Sequence, residues 1–351
     1  MQVPAWMRDL WNRAWRIQPK TEFGLEIGVN LGYGFAADAA KIAQIAAVGV
    51  KWVRLPLAWD WIETSKGVYD WTPFLAAVDA FNGRHISVLL VTNNVMNPPY
   101  YADELVSAGP HAPSTPGEIA DYATFHGLAA KALGNRSVMY EIGNEVNWNY
   151  TGPLRGVAYT AVVQSTAAQI RGNYSGRGRP CTIIGPGVTP DHSDFIGDCA
   201  TAGLFGYLDG CSVHPYGYGQ PNWRPLSQLP NDYDGIRAML ASYPNMPIYS
   251  SEWGYSTVGD TAMDSYTPSG QAQALLNMFA AERDAGVRLS IWYEFSDDGR
   301  KAAGDHEGGF GLVDQHFVPK PAYYAAQKFL GGYSPLPPNP RTQVAPQVDQ
   351  A

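Results

Sequence analysis

Short contiguous apolar runs alternate along the chain with longer stretches whose apolar positions recur at helical spacing. Eight β-rich runs stand out: 24–31, 51–55, 86–92, 138–142, 182–186, 210–214, 247–251 and 288–295. Several are apolar on successive positions, as in Ile86-Ser-Val-Leu-Leu-Val91, the pattern of a strand covered on both faces. Between them, helices are predicted over 37–48, 117–133, 158–171, 234–243, 269–285 and 321–330, with further helical stretches over 73–81 and 194–208. The first of these is alanine-rich and meets Gly49, a helix former followed by a C-terminal stop. Repetition of strand, loop and helix predicts parallel strands joined by crossover helices, and eight units predict a closed (β/α)8 TIM barrel of the α/β class rather than an open doubly wound sheet.

The barrel is expected over residues 21–332, as a single domain. Residues 1–20 read as an N-terminal extension, where the Trp/Arg-rich segment from Trp6 to Arg16 has helical spacing and suits docking on the barrel. Residues 333–351 carry Pro335-Leu-Pro-Pro-Asn-Pro340 without apolar periodicity and read as a flexible tail.

Charge and composition narrow the partners. A net charge of −8 supplies no basic surface for nucleic acid or an anionic membrane, and no run reaches the roughly 18 apolar residues of a membrane span. The N-terminus has charges where a signal peptide needs its apolar core, so no export signal is visible and the compartment is left open. Cys181, Cys199 and Cys211 lack the paired spacing of a zinc site and read as thiols, with one disulfide open to an exported chain. The seven histidines are scattered, so no metal or other cofactor is expected. With 11 Trp and 21 Tyr, the chain is rich in the aromatic surface that sugar clefts use. A neutral carbohydrate is the expected partner, and a monomer the expected state.

In a TIM barrel the C-terminal strand ends and the loops after them form the functional face. The fourth run ends Tyr140-Glu-Ile-Gly-Asn-Glu-Val-Asn147 and the seventh Tyr249-Ser-Ser-Glu-Trp-Gly254, so Glu145 and Glu252 emerge at that face. Two carboxyl groups across one sugar ring are what glycosidic cleavage needs, one to protonate the departing oxygen and one to attack or stabilise the anomeric carbon. Position alone leaves open that both are surface loop residues.

Gly143-Asn-Glu145, His214-Pro-Tyr216 and Ser250-Ser-Glu-Trp-Gly254 resemble the signature of glycoside hydrolase clan A. So do Trp52-Val-Arg54, Trp59-Asp-Trp-Ile-Glu63 with Lys66-Gly-Val-Tyr-Asp-Trp71, and Gly309-Phe-Gly-Leu-Val313 with Pro319-Lys-Pro-Ala-Tyr323. The likeness spans most of residues 24–330 and is nearest to family 39 and family 5 enzymes, bacterial exopolysaccharide hydrolases among them. It implies a retaining glycosidase in which Glu145 is the acid/base and Glu252 the nucleophile. It further implies that Asn144 binds the hydroxyl beside the reacting carbon, that Arg54 and Tyr216 contact Glu252, that His214 is a subsite hydrogen-bonding group, and that Trp292 is the aromatic floor of the central subsite. A Glu145 less solvated than Glu252 and close to its charge is expected to have a raised pKa.

Other mouth residues carry two readings each. Glu294, Asp297 and Asp298 could bind sugar hydroxyls or a calcium ion, or be solvated loop charges. Asn93, Asn94 and Asn97 are subsite candidates or turn residues. Trp59, Trp61, Trp148, Trp223 and Trp253 are expected to rim the cleft, with Trp59 and Trp61 able instead to pin the second loop to its helix. Endo-cleavage of a bacterial β-glycan is the expected activity. The competing readings are a non-catalytic glycan-binding barrel, a metal-dependent barrel hydrolase, and a structural or phage-particle role with incidental hydrolysis.

Overall fold

The computed structural model describes residues 25–32, 38–92, 111–176, 180–189, 193–220, 224–259, 266–300 and 304–331. The N-terminal extension, the tail, Asn93, Asn94, Asn97 and Trp223 lie outside them. Strands β1 (Glu26–Asn30), β2 (Trp52–Leu57), β3 (Ser87–Thr92), β4 (Val138–Glu141), β5 (Ile183–Val188), β6 (Gly210–Val213), β7 (Ile248–Trp253) and β8 (Leu289–Trp292) close into one barrel. Every neighbouring pair is parallel, and β8 closes on β1. Helices α1 (Ala39–Val48), α2 (Thr72–Asn82), α3 (Pro116–Leu133), α4 (Arg155–Asn173), α5 (Ser193–Thr201), α6 (Leu229–Met239), α7 (Pro268–Asp284) and α8 (Pro321–Phe329) follow the strands in turn. The chain is a (β/α)8 TIM barrel.

Local chemistry sets the helix ends. Asp38 caps α1 by accepting from the Lys41 amide at 2.8 Å, and Gly49 stops it at φ 95°, a left-handed conformation that glycine adopts without a Cβ clash. Thr115 and Glu118 form a capping box at the start of α3. Helix α6 begins five residues before its predicted start, because Pro230 fits the first turn, where its missing N–H has no helical partner to lose.

Strand alternation divides the side chains between two cores. Ile27, Val29, Val53, Tyr140, Cys211 and Trp292 face the helices in one large cluster. Leu89, Met139, Ile184, Leu289 and Ile291, with Trp52 and Tyr249 against them, fill the barrel interior. That interior is tight enough that a Cβ on Gly28 would meet Ile291 and Trp52 side chains within 2.8 Å. One step further along the same inward faces, Asn30, Arg54 and Glu141 replace the apolar residues, so the plug ends where the polar mouth begins.

Two irregularities re-aim side chains at that mouth. Between β7 and β8 the register runs Ser290↔Ser250 and then Trp292↔Trp253, one extra residue on β7. Ser250 and Trp253 keep their helix-facing contacts, and the bulge lets Ser251 and Glu252 both turn to the barrel axis. On β5 a similar step places Gly187 at φ 61° between Pro186↔Ser212 and Val188↔Val213.

Beyond β2 the chain makes a short helix, Trp59–Ile62, and a hairpin pairing Glu63–Ser65 with Val68–Tyr69. Trp59 is buried there, stacked on Phe125 at 5.0 Å, so it pins the loop to α3 rather than rimming the cleft. The expected cleft position of Trp253 is likewise overturned, since its ring packs on Phe279 and its Nε1 donates to Ser290 Oγ at 2.8 Å. The three cysteines are free thiols, and burial pushes Cys181 up to about 11. Among the described residues no helix is long and apolar enough to cross a membrane.

Candidate active site

Five strand ends meet at the mouth around one cation. Arg54 at the end of β2 is 2% exposed and reaches three partners: Nε donates to Glu141 Oε2 at 2.8 Å, Nη2 to Asn144 Oδ1 at 2.6 Å, and Nη1 to Glu252 Oε2. Glu252 also accepts from Asn30 Nδ2 at 3.0 Å and from the Tyr216 hydroxyl, through Oε1, at 2.9 Å. Its carboxylate is thus held by a guanidinium, an amide and a phenol. Burial and the Glu252 charge hold Tyr216 well above the usual phenol range, so it remains a donor.

Glu145 sits differently. It follows β4 in a left-handed conformation, φ 48° and ψ 48°, which costs a non-glycine residue about 1–2 kcal/mol. Its amide donates to Gly187 O at 3.0 Å, which ties the strained residue to β5. The carboxylate contacts His214 Nδ1 through Oε1 at 3.1 Å, with a side-chain hydrogen bond from Trp148, and remains 26% exposed against 13% for Glu252. Burial acts to raise the Glu145 pKa, but His214 and Arg54 outweigh it and the net direction is down. The expected upward shift is therefore corrected: a hydrogen-bonding imidazole and a nearby guanidinium stabilise the anion more than burial opposes it.

One atom each of Glu145, His214 and Glu252 lies within 4.8 Å of the other two. Such spacing would also suit a cation. Arg54 and the donors Asn30 and Tyr216 already compensate Glu252, however, and a guanidinium at that carboxylate disfavours a second positive charge.

Two sequence-predicted roles change. Trp292 is 1% exposed, its ring set edge-on to Trp253 at 5.1 Å and its Nε1 donating to Phe310 O at 3.1 Å, so it belongs to the helix-facing core and cannot floor a subsite. Tyr293 is the part-exposed aromatic beside the site, edge-on to Phe310 at 5.4 Å. His214 is fully buried, so its ring backs Glu145 rather than lining an open subsite. Glu141, which the sequence reading passed over, is fully buried and paired to Arg54. Burial would raise its carboxyl, yet the Arg54 charge, with that of His214, holds it below the ordinary value. Alternation from inward Met139 marked Glu141 for the axis, as alternation from Gly28 marked Asn30.

Glu294, after β8, is 4% exposed, and its Oε1 has no hydrogen-bond partner. Burial first, then Asp298, Glu252, Glu307 and Asp297, push its carboxyl up to about 8. Asp297 is instead tied to Lys320 at 2.9 Å and Asp298 to Arg300 at 2.9 Å, which accounts for both without a bound ion. Trp61 at 57% and Trp148 at 63% are the exposed indoles of the predicted rim among the described residues.

No family model and no curated relative matches the sequence. Solved structures do match. A family 39 glycoside hydrolase from the gut symbiont Bacteroides cellulosilyticus WH2 superimposes with a TM-score of 0.72 at 22% identity, over 87% of this chain and 63% of that one. A GH5_18 structure from Streptomyces cattleya in complex with Manβ1-4GlcNAc gives 0.68 at 18% identity, over 88% and 80%. The exo-β-1,4-mannosidase Op5Man5 from Opitutaceae bacterium strain TAV5 gives 0.64 at 18%, over 90% and 60%. The chain spans less than two thirds of the first and third of these proteins. What the likeness establishes is the barrel fold that these glycoside hydrolases share.

Proposed function

We propose that this barrel is a retaining glycoside hydrolase that cleaves β-linked glycans internally, with Glu252 as nucleophile and Glu145 as acid/base. The observation that carries the reading is the pair of strand-end carboxylates whose oxygens approach within 4.8 Å in unlike surroundings. A separation of about 5–5.5 Å between the two groups leaves no room for the water of a single displacement and favours a covalent intermediate.

The surroundings assign the roles. Three donors hold the Glu252 carboxylate in place and aim one oxygen, which suits in-line attack on an anomeric carbon. Glu145 has its imidazole partner on one side and solvent on the other, where a leaving-group oxygen would arrive. In the empty site the anion of Glu145 is favoured. A pyranose in the mouth expels water, strengthens the burial that already acts to raise this carboxyl, and moves it toward the protonated form a general acid requires. As the Glu252–sugar bond forms, the Glu252 charge is consumed, the Glu145 proton passes to the departing oxygen, and the resulting carboxylate can take a proton from water in the second step.

Asn144, oriented by Arg54, is the group for the neighbouring sugar hydroxyl, and Tyr293 takes the flooring role first assigned to Trp292. Trp148 and Trp61 are platforms for flanking sugars, and Glu294 is a hydrogen-bonding group beside the nucleophile. Asn93 is proposed as a subsite residue on its sequence position alone. The chain is expected to act as a monomer, without a metal.

Incubation with a panel of β-aryl glycosides and bacterial polysaccharides, with and without chelator, tests this reading. New reducing ends on oligosaccharides of mixed length are expected, undiminished by chelation. Release of monosaccharide alone would overturn internal cleavage. Binding without any cleavage would make the chain a glycan-binding barrel.

A further inference from the structure

The two proposed catalytic carboxylates are bridged, behind the cleft, by a third. Glu141 is fully buried, and its Oε2 accepts from the same Arg54 guanidinium that holds Glu252 and Asn144. Its Oε1 takes no part in that pairing. A Cβ built on Gly187 would lie 3.1 Å from Glu141 Oε1 and 3.2 Å from His214 Nε2, so these two atoms flank the same small space. Both are buried without a hydrogen-bond partner, and Gly187 at φ 61° leaves the space open. His214 Nδ1 in turn contacts Glu145.

We propose that Glu141 is a positioning residue of the reaction: its buried carboxylate locks Arg54 against Glu252 and Asn144, and its charge acts on Glu145 through His214. The inference rests on the glycosidase reading and deepens it. Glu141 touches no substrate in this arrangement, since it lies beneath the residues that would.

The groups that share its field are few. Arg54 faces it from β2, His214 from beyond β6, Ser212 from β6, Ser251 from β7 and Tyr159 from α4. Around Glu145 stand His214, Arg54, Trp148, Tyr216 and Glu252. Removing the negative charge of Glu141 from this set leaves the site more positive by one unit. Ionisation of Glu145 then becomes easier, and its proton is lost at lower pH.

Glu141→Gln preserves shape and removes charge. On an aryl glycoside with a poor leaving group, kcat is expected to fall about 10–100-fold with KM nearly unchanged. The alkaline limb of kcat, which reports the substrate-bound enzyme, should move down by about one pH unit. Glu141→Asp keeps the charge and should leave the limb in place while kcat still falls. A merely structural carboxylate would lower melting temperature and kcat in both variants without moving the limb. A folded Glu141→Gln whose limb coincides with that of the wild type overturns the inference. Should Glu141→Gln not fold, Glu141→Asp decides: a several-fold fall in kcat at constant KM and unchanged melting temperature supports the assignment, and an unchanged kcat, or a fall that accompanies a lowered melting temperature, overturns it. A wild type without glycosidase activity removes the parent reading and the inference together, an outcome distinct from an active wild type with an unmoved limb.

Discussion

Glu252→Ala is expected to lose about 10^5-fold in kcat on any β-glycoside, and azide should return turnover with an α-glycosyl azide as product. Without the proposed nucleophile the barrel offers an empty space where the Glu252 carboxylate stood, framed by Asn30, Arg54 and Tyr216. A small anion fits that frame, attacks once, and inverts the anomeric carbon. Glu145→Ala behaves oppositely. Loss of the proposed acid/base is expected to cost about 10^2–10^4-fold on substrates whose leaving group needs a proton, and little in the first step on activated aryl glycosides. There the glycosyl-enzyme accumulates, and azide entering from the Glu145 side releases it as the β-azide, two inversions amounting to retention. Product configuration, read by proton NMR, therefore identifies each carboxylate separately. α-Azide from both variants, or from neither, contradicts the roles.

The second large effect belongs to Arg54. Replacement by Met keeps most of the volume and removes the cation between Glu141 and Glu252, leaving Glu141 buried without its counter-charge. Breaking a buried pair in this way costs about 3–5 kcal/mol. The sign with pH differs between the two proteins. In the wild type, Glu141 is held below its ordinary value, so its contribution is present at neutral pH and is lost as pH falls through the folded pKa. In Arg54→Met the largest opposition to burial is gone and only His214, Ser251 and Ser212 still favour the anion, so the carboxyl is expected to move above its unfolded value, with stability kept in acid and lost as pH rises. The difference in melting temperature between wild type and variant should thus be larger at pH 7.5 than at pH 4.5. Equal differences at both values would mean that Glu141 is not charged in the native protein. Activity of the variant should be lost as well, because Glu252 and Asn144 both lose the donor that aims them.

How far the sequence carried depended on what each residue's position requires. All eight barrel strands were legible because β/α alternation is local and their apolar runs are short and bounded. The placement of Glu145 and Glu252 at the mouth was legible because each stands at the end of an apolar strand inside a motif. Trp292 was misplaced by one residue: Leu289 and Ile291 point inward, so the inward aromatic of that series is Tyr293, and the family resemblance had been laid on the neighbouring indole instead. The end of β7 was harder, since a one-residue bulge turns Glu252 toward the axis and no sequence signal announces it. Glu141 lay within a quoted motif but read as an interior strand residue. Its importance comes from meeting Arg54 across 87 positions of chain, a contact made only by barrel closure. The direction of the Glu145 pKa was not readable either, because it depends on the 3.1 Å approach of His214 from another strand.

Proton NMR of the first sugar released from a β-aryl glycoside, recorded before mutarotation, puts the carboxylate pair, with oxygens within 4.8 Å, to the most direct test. The β-anomer is the predicted product. Initial appearance of the α-anomer would mean single displacement by water and would contradict the account.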